Sequence, residues 1–242
     1  MKETVFTVTE NAAIAENTFR LRLAGDASEV RTPGQFVNLR VDNGFLRRPI
    51  SVCDRDGSAL TLIYRVVGRG TRWLSERRAG AELNALTGLG NGFDLSAAGT
   101  APLLIGGGVG VAPLYWLARA LRETGVKVTA ALGFRTGAEV LLEDEFRALG
   151  CRVAIATEDG SRGEKGFVTD ILPERFSCAY ACGPSPMLRA VYRAAPGPAQ
   201  FSLEERMGCG FGACMGCTCE TKEGAKRVCR EGPVFRREEL AW

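Results

Sequence analysis

The 242-residue sequence contains no histidine. That absence removes Ser-His and Cys-His nucleophilic pairs, His-ligated zinc, Rieske centres and His-ligated haem. Chemistry must therefore run on thiolates, carboxylates or a bound cofactor. Long apolar runs are also missing. The N-terminal stretch MKETVFTVTE has no signal core, and no segment reaches transmembrane length. No membrane association is expected, and the cytoplasm is the expected compartment. Charge of one sign is scarce: 31 Lys and Arg face 28 Asp and Glu, for a net +3. No long basic arm suggests nucleic acid. The richest basic run, Arg65 to Arg78 with five arginines, reads first as a solvated helix face.

Sulfur and glycine are plentiful. The chain carries nine cysteines and 30 glycines, and its 45% hydrophobic content suits one large domain or two to three small ones. In a reducing compartment, clustered cysteines point to metal binding or redox chemistry rather than to disulfides.

The first hundred residues read as strands. Val5–Thr9, Thr18–Leu23, Gln35–Val41 and Leu60–Val67 are short, partly alternating and rich in β-branched residues. Turn residues separate them, at Gly25-Asp26, Pro33-Gly34, Asp42-Asn43-Gly44 and Asp56-Gly57. This predicts a small antiparallel β-barrel, with one short helix near Thr71–Arg78. From about Gly99 strands alternate with helices. PLLIGGG (102–108), VKVTAALGF (126–134), CRVAIAT (151–157) and CAYACG (178–183) are the strand candidates. Helical spacing follows at Leu114, Leu117, Ala118 and Leu121, and again near 142–149, 168–172 and 186–194. That alternation predicts a parallel α/β sheet. The expected division is 1–98, 99–199 and a C-terminal cysteine segment, 200–242.

That segment contains Cys209-x4-Cys214-x2-Cys217, with Cys229 after eleven intervening residues. C-x4-C-x2-C with a distant fourth Cys is the plant-type [2Fe–2S] spacing. Gly210, Gly212 and Gly216 allow the tight turns that aim backbone N–H groups at a negatively charged cluster. Structural zinc and uncoordinated core cysteines are the alternatives; zinc ribbons show two paired knuckles, whereas here there is one. Cys219 is a spare. A [2Fe–2S] centre transfers one electron at a time, at potentials down to about −400 mV for the plant type.

Two further stretches suggest nucleotides. RRPIS (47–51) places an arginine fork where it could grip a pyrophosphate. RVVGRGT (65–71) ends a strand in glycines and opens a helix, offering N–H groups to phosphate. GGGVGVAP (106–113) lies between strand and helix, as in nucleotide-binding sheets, although it departs from G-x-G-x-x-G. The second strand of this sheet ends in Gly133-Phe134-Arg135 rather than in an acid. Arg135 could meet a 2′-phosphate, so these residues leave NAD against NADP open. Cys182-Gly183-Pro184 ends another strand at the same edge.

The order RPIS, GRGT, GGGVGVAP, CGPSPM resembles the ferredoxin–NADP reductase superfamily. The tail LEERMGCGFGACMGC…RVCREGPVF resembles one branch of it, the electron-transfer subunits of dihydroorotate dehydrogenase B. The resemblance implies a flavin-binding antiparallel β-barrel, then an α/β nicotinamide-nucleotide domain, then a small C-terminal [2Fe–2S] segment. It places Arg48, Pro49, Ile50 and Ser51 around the ring and pyrophosphate of FAD. Ile63, Tyr64 and Arg65 would lie beside the nucleotide, with Gly70 and Thr71 at its phosphates. Gly106, Gly107, Gly108 and Gly110, with Cys182, Gly183 and Pro184, would border the nicotinamide. Cys209, Cys214, Cys217 and Cys229 match the cluster ligands. No catalytic side chain is expected beyond Cys182 near the nicotinamide. Related bifurcating subunits can carry Asp at the first ligand position, so Cys209 fits the pyrimidine branch. Trp242 lies beyond the cluster segment and is not expected to cover the flavin.

The implied activity is electron transfer from the FMN of a dihydroorotate-oxidising catalytic subunit, through [2Fe–2S] and FAD, to NAD⁺ in pyrimidine (UMP) biosynthesis. A heterotetramer of two plus two chains is the implied assembly. A reductase subunit of another system, of the sulfide dehydrogenase or bifurcating ferredoxin reductase type, uses the same parts. A zinc-stabilised interaction module is the non-enzymatic rival.

Overall fold

The computed structural model describes residues 1–42 and 44–242. Of the expected turn Asp42-Asn43-Gly44, Asn43 lies outside the described residues. Six antiparallel strands form the first unit: β1 (Lys2–Ala15), β2 (Thr18–Ala24), β3 (Phe36–Leu39), β4 (Arg48–Asp56), β5 (Ala59–Arg65) and β6 (Glu82–Leu89). They close in the order β1-β2-β5-β4-β3-β6. β6 was not among the expected strands, yet it carries the clearest period-two pattern: Leu83, Ala85, Thr87 and Leu89 are buried and their neighbours are not. Closure buries Phe6, Leu21, Leu23, Leu39, Leu60 and Leu62 in one core and leaves β1 and β6 paired rather than as open edges. The short helix α1 (Arg69–Ser75) follows β5.

One irregularity in this barrel matters for everything below. β4 pairs with β3 through Arg48–Ser51, and with β5 only from Val52 onward. Ile63–Arg65 of β5 pair with β2 alone. The two strands therefore part, and a cleft opens between 48–51 and 63–65. Pro49 suits an unpaired edge because it has no N–H to leave unsatisfied.

The second unit is a seven-stranded sheet. β7 (Leu103–Gly107), α2 (Ala112–Glu123), β8 (Thr129–Phe134), α3 (Glu143–Ala148), β9 (Arg152–Thr157) and β10 (Glu164–Lys165) come first. β11 (Ala179–Cys182), α4 (Ser185–Ala194) and β12 (Ala199–Ser202) follow. A β13 (Thr218–Thr221)–β14 (Gly224–Arg227) hairpin then stands apart, and β15 (Val234–Arg236) returns to the sheet. The sheet order is β10-β9-β8-β7-β11-β12-β15, parallel throughout except for β15. β7, β11 and β12 are buried at every position, as expected of strands covered on both faces. The break expected at residue 199 falls inside this sheet, because β12 and β15 supply its last two strands. Short apolar segments such as AQFS and VFR carry no period of their own and pair only through tertiary contact.

α2 begins with Pro113 in its first turn and buries Leu114, Leu117, Ala118 and Leu121. It also joins the two units. Cys53 and Ile63 of the barrel share a core with Val111 and Leu114, and Arg119 donates to Asp54 at 2.6 Å. Trp242 packs edge-on against Tyr192 and Phe201, outside the cleft between the strands. No helix among the described residues is long and apolar enough to cross a membrane.

Candidate functional site

Between β12 and β13 the chain has no regular structure, and its backbone is organised around sulfur. Cys209 Sγ accepts from the N–H of Ala213 at 3.2 Å, and Cys214 Sγ from the N–H of Cys209 at 3.4 Å. Cys217 Sγ accepts from the N–H of Cys229 at 3.4 Å. The four cysteines thus form two pairs, 209 with 214 and 217 with 229. Two thiolates for each of two irons is the arrangement that fits, so this donor set suits a [2Fe–2S] cluster. Burial raises the Cys209 thiol, but the N–H groups of Phe211, Cys214 and Ala213 outweigh it and hold the thiol down at about 6. Burial and the adjoining Cys217 push Cys229 up to about 12. Cys219 lies on β13, where burial raises it to about 11, and belongs to neither pair.

Gly210 (φ +78°) and Gly212 (φ +94°) hold left-handed turns that a Cβ would strain. A Cβ on Gly210 would lie 2.3 Å from Asn38 Nδ2. That amide donates to the Cys209 carbonyl at 3.1 Å, tying the sulfur loop to barrel strand β3. Asn38 is fully buried, and its Oδ1 has no partner among the described residues. Arg227 Nη1 donates to the Gly212 carbonyl at 2.6 Å while its Nε is held by Glu231 at 3.0 Å.

The cleft between β4 and β5 encloses about 330 Å³. Arg48, Pro49, Ile50, Ser51 and Ile63 line it, joined by Arg65 and Thr71. Gly70 lies beneath Arg48: a Cβ there would sit 2.3 Å from the guanidinium Nε, so only glycine lets the arginine lie across the start of α1. Two of the expected lining residues, Tyr64 and Thr71, are also held by bonds within the barrel and its helix. Tyr64 borders the cleft, but its ring stacks on Phe19 in the barrel and its hydroxyl donates to Asn11 Oδ1 at 3.1 Å. The Thr71 hydroxyl already accepts the N–H groups of Val67 and Gly68, at 2.9 and 3.2 Å.

The far wall of this cleft was not foreseen. Leu203, Glu204, Glu205 and Met207 form it, with Pro233. This wall runs directly into Cys209. Glu204 and Glu205 are exposed along this wall. The motif LEERM has no diagnostic spacing, so only the fold reveals this role.

A second cleft of about 470 Å³ lies at the carboxyl ends of β7, β8 and β11. Here the strand order reverses between β7 and β11, which is where open α/β sheets bind ligands. Gly107, Gly108 and Pro184 line it. Gly106, Gly110, Cys182 and Gly183 stand behind the lining and let the two loops touch. A Cβ on Gly110 would be 2.6 Å from Gly183 Cα, and one on Gly106 would be 2.7 Å from Val111. The Cys182 thiol is buried, and burial with the nearby Glu204 charge raises it far above its ordinary range, so it stays protonated. Arg65 lines both clefts, so they meet. Glu139, Glu158, Phe167 and Met187 also line the second cleft and were missed. Glu158 is legible in the sequence as an acid directly after the apolar strand β9.

A family model for the iron–sulfur cluster binding domain of dihydroorotate dehydrogenase B matches residues 204–241. One for the oxidoreductase NAD-binding domain matches 104–193. The dihydroorotate dehydrogenase B (NAD(+)) electron transfer subunit of Bacillus caldolyticus is 47% identical, over 97% of this chain and 96% of its own. That of Geobacillus sp. (strain WCH70) is 48% identical over 99% of both chains.

The chain belongs to the dihydroorotate dehydrogenase B electron transfer subunit family.

The match for this family's cluster domain begins at Glu204, so it takes in most of the cleft wall as well as the four paired cysteines. The NAD-binding match spans β7 through α4. Among solved structures, the NADH-dependent reduced ferredoxin–NADP oxidoreductase of flavin-based electron bifurcation superposes with a TM-score of 0.87 at 32% identity. That likeness covers 98% of this chain and 90% of the other.

Proposed function

We propose that this chain carries electrons from the FMN of a dihydroorotate-oxidising catalytic subunit to NAD⁺, within pyrimidine (UMP) biosynthesis. FAD, when bound, supplies the conversion between hydride exchange with NAD and single-electron exchange with a [2Fe–2S] centre. The chain's own residues bind, orient and insulate. Arg48 would grip the flavin pyrophosphate over Gly70, with Ser51 and Ile63 beside the ring. Gly107, Gly108 and Pro184 would border the nicotinamide, and Cys209, Cys214, Cys217 and Cys229 would hold the cluster. Hydride exchange needs no acid or base from the chain, which is why histidine can be absent.

One observation carries this reading. The nucleotide cleft, the flavin-sized cleft and the sulfur loop adjoin in that order, through Arg65 on one side and the Leu203–Met207 wall on the other. Phe211 and Met215 are exposed on the sulfur loop beside the exposed Cys214, a surface suited to docking the catalytic subunit. A two-plus-two assembly in the cytoplasm, where thiolates remain reduced, completes the proposal. We divide the chain into a barrel unit up to about residue 98, a nucleotide sheet that includes β12 and β15, and a sulfur segment running between those two strands.

The test is Cys214→Ala in the reconstituted complex. NAD⁺-linked dihydroorotate oxidation is abolished while flavin content is retained; persistence of the coupled activity contradicts the reading. The likeness to the bifurcating oxidoreductase favours a second reading, a reductase subunit serving a different partner. Copurification with a dihydroorotate-oxidising chain separates the two.

A further inference from the structure

Two arginines border the nucleotide cleft, and a single carboxylate holds both. Arg65, at the end of β5, approaches Glu139 Oε1 with its Nη2 at 3.1 Å. Arg135, directly after β8, bonds the same oxygen through Nη2 and reaches Oε2 through Nε at 3.3 Å. Glu139 sits in the turn Gly137–Glu139 with only 13% of its side chain exposed, whereas that of Arg135 is 61% exposed. The bond from Arg135, against some burial, keeps the Glu139 carboxyl below its usual range, so it is ionised at neutral pH. Glu158 is the other acid on the lining. The cleft therefore presents two cations and two anions, with no surplus positive charge.

NAD and NADP differ by one phosphate on the adenosine ribose, which carries up to two negative charges near neutral pH. An arginine just past a strand end is the usual device for receiving that phosphate, and an acid nearby disfavours it. Arg135 has the position for this. Its fork is taken up by Glu139 from within the same loop, and the second guanidinium within reach, Arg65, is taken up by the same carboxylate. Releasing either to a 2′-phosphate would leave Glu139 close to the incoming anion.

We propose that Glu139 is the residue that sets the choice of dinucleotide: by engaging Arg65 and Arg135 together, it withholds both from a 2′-phosphate and makes the cleft select NAD over NADP. The proposal rests on reading this cleft as the nicotinamide-nucleotide site. It accounts for an arginine that by position alone points the other way.

The test uses the flavin- and cluster-loaded protein with ferricyanide as acceptor, so that no partner chain is needed, and measures kcat/KM for NADH and NADPH. Equilibrium binding of NAD⁺ and NADP⁺ gives a second readout independent of turnover. In Glu139→Gln, the NADPH-to-NADH ratio of kcat/KM rises at least tenfold and NADP⁺ binds correspondingly tighter. In Arg135→Ala/Glu139→Gln most of that gain disappears, and Glu139→Asp keeps the preference for NADH. Arg135→Ala alone leaves NADP⁺ affinity within about twofold, because the guanidinium is already occupied. A ratio unchanged in Glu139→Gln, a gain that survives in the double variant, or a tenfold loss of NADP⁺ affinity in Arg135→Ala overturns the proposal. Wild-type protein that oxidises neither dinucleotide overturns the reading of the cleft itself, and this proposal with it.

Discussion

Gly110→Ala tests how closely the two loops at the sheet edge must approach. The new Cβ would lie 2.6 Å from Gly183 Cα, 2.7 Å from the Cys182 carbonyl oxygen and 2.7 Å from the Gly183 nitrogen. All three are backbone atoms at the end of β11, a strand locked between β7 and β12. No flexible side chain can yield. Ordinary contact begins near 3.4 Å, so the loops must separate by roughly 0.8 Å, at a cost of about 1–3 kcal/mol for an overpacked site. For a chain of this size that cost lowers Tm by roughly 2–12 °C. The displaced loops carry Gly108 and Pro184, which line the nucleotide cleft. A misplacement approaching 1 Å costs up to about a hundredfold in rate, and a cost above about 1.4 kcal/mol is already tenfold. The expected result is a 10- to 100-fold fall in kcat/KM for NADH with ferricyanide as acceptor. Flavin absorbance and the electron-spin signal of the cluster should stay at wild-type levels, since Gly110 contacts neither β4 nor the sulfur loop among its near neighbours. A variant that folds and oxidises NADH within twofold of wild type refutes the reasoning.

Arg48→Ala weakens FAD binding by about 1.5–3 kcal/mol, the range for a charge-assisted bond; flavin titration of the apoprotein measures it, and an unchanged affinity removes Arg48 from the site. Asn38→Leu deletes one donor to the Cys209 carbonyl, worth about 0.5–1.5 kcal/mol, and also deletes a buried unpartnered oxygen costing about 1–3 kcal/mol. Thermal stability therefore holds or rises, while the untied sulfur loop loses its cluster faster to chelator; a lower Tm with unchanged chelator resistance counts against this. Burial raises the Tyr64 hydroxyl to about 12, against its bond to Asn11. Because the folded value lies above the unfolded one, near 10, the associated stability is intact below pH 10 and is lost as pH climbs towards 12. Tyr64→Phe should flatten the fall of Tm across that interval, and an identical slope in both proteins contradicts the assignment.

Much of the site was legible because its signals are local. Four thiols within reach of one cluster must recur at a characteristic spacing along a short loop, so Cys209, Cys214, Cys217 and Cys229 can be read from the chain alone. The alternation of apolar strands with helical spacing after Gly99 likewise reflects a period that each element carries within itself. Strand β6 carries such a period too, with Thr87 taking an inward position among Leu83, Ala85 and Leu89.

The sequence by itself determined the types of chemistry: a thiolate loop, an arginine fork and glycine turns at strand ends, with no histidine for acid–base work. The tertiary structure alone decided how these meet. Asn38 bonds the Cys209 carbonyl across 171 residues, and Arg65 finds Glu139 across 74. Leu203–Met207 become a cleft wall only once β12 and β15 pair, and the cleft itself exists only because β4 leaves β5 halfway along its length. Such contacts carry no periodicity and no spacing rule. They are fixed by which surfaces the closed barrel and the twisted sheet bring face to face.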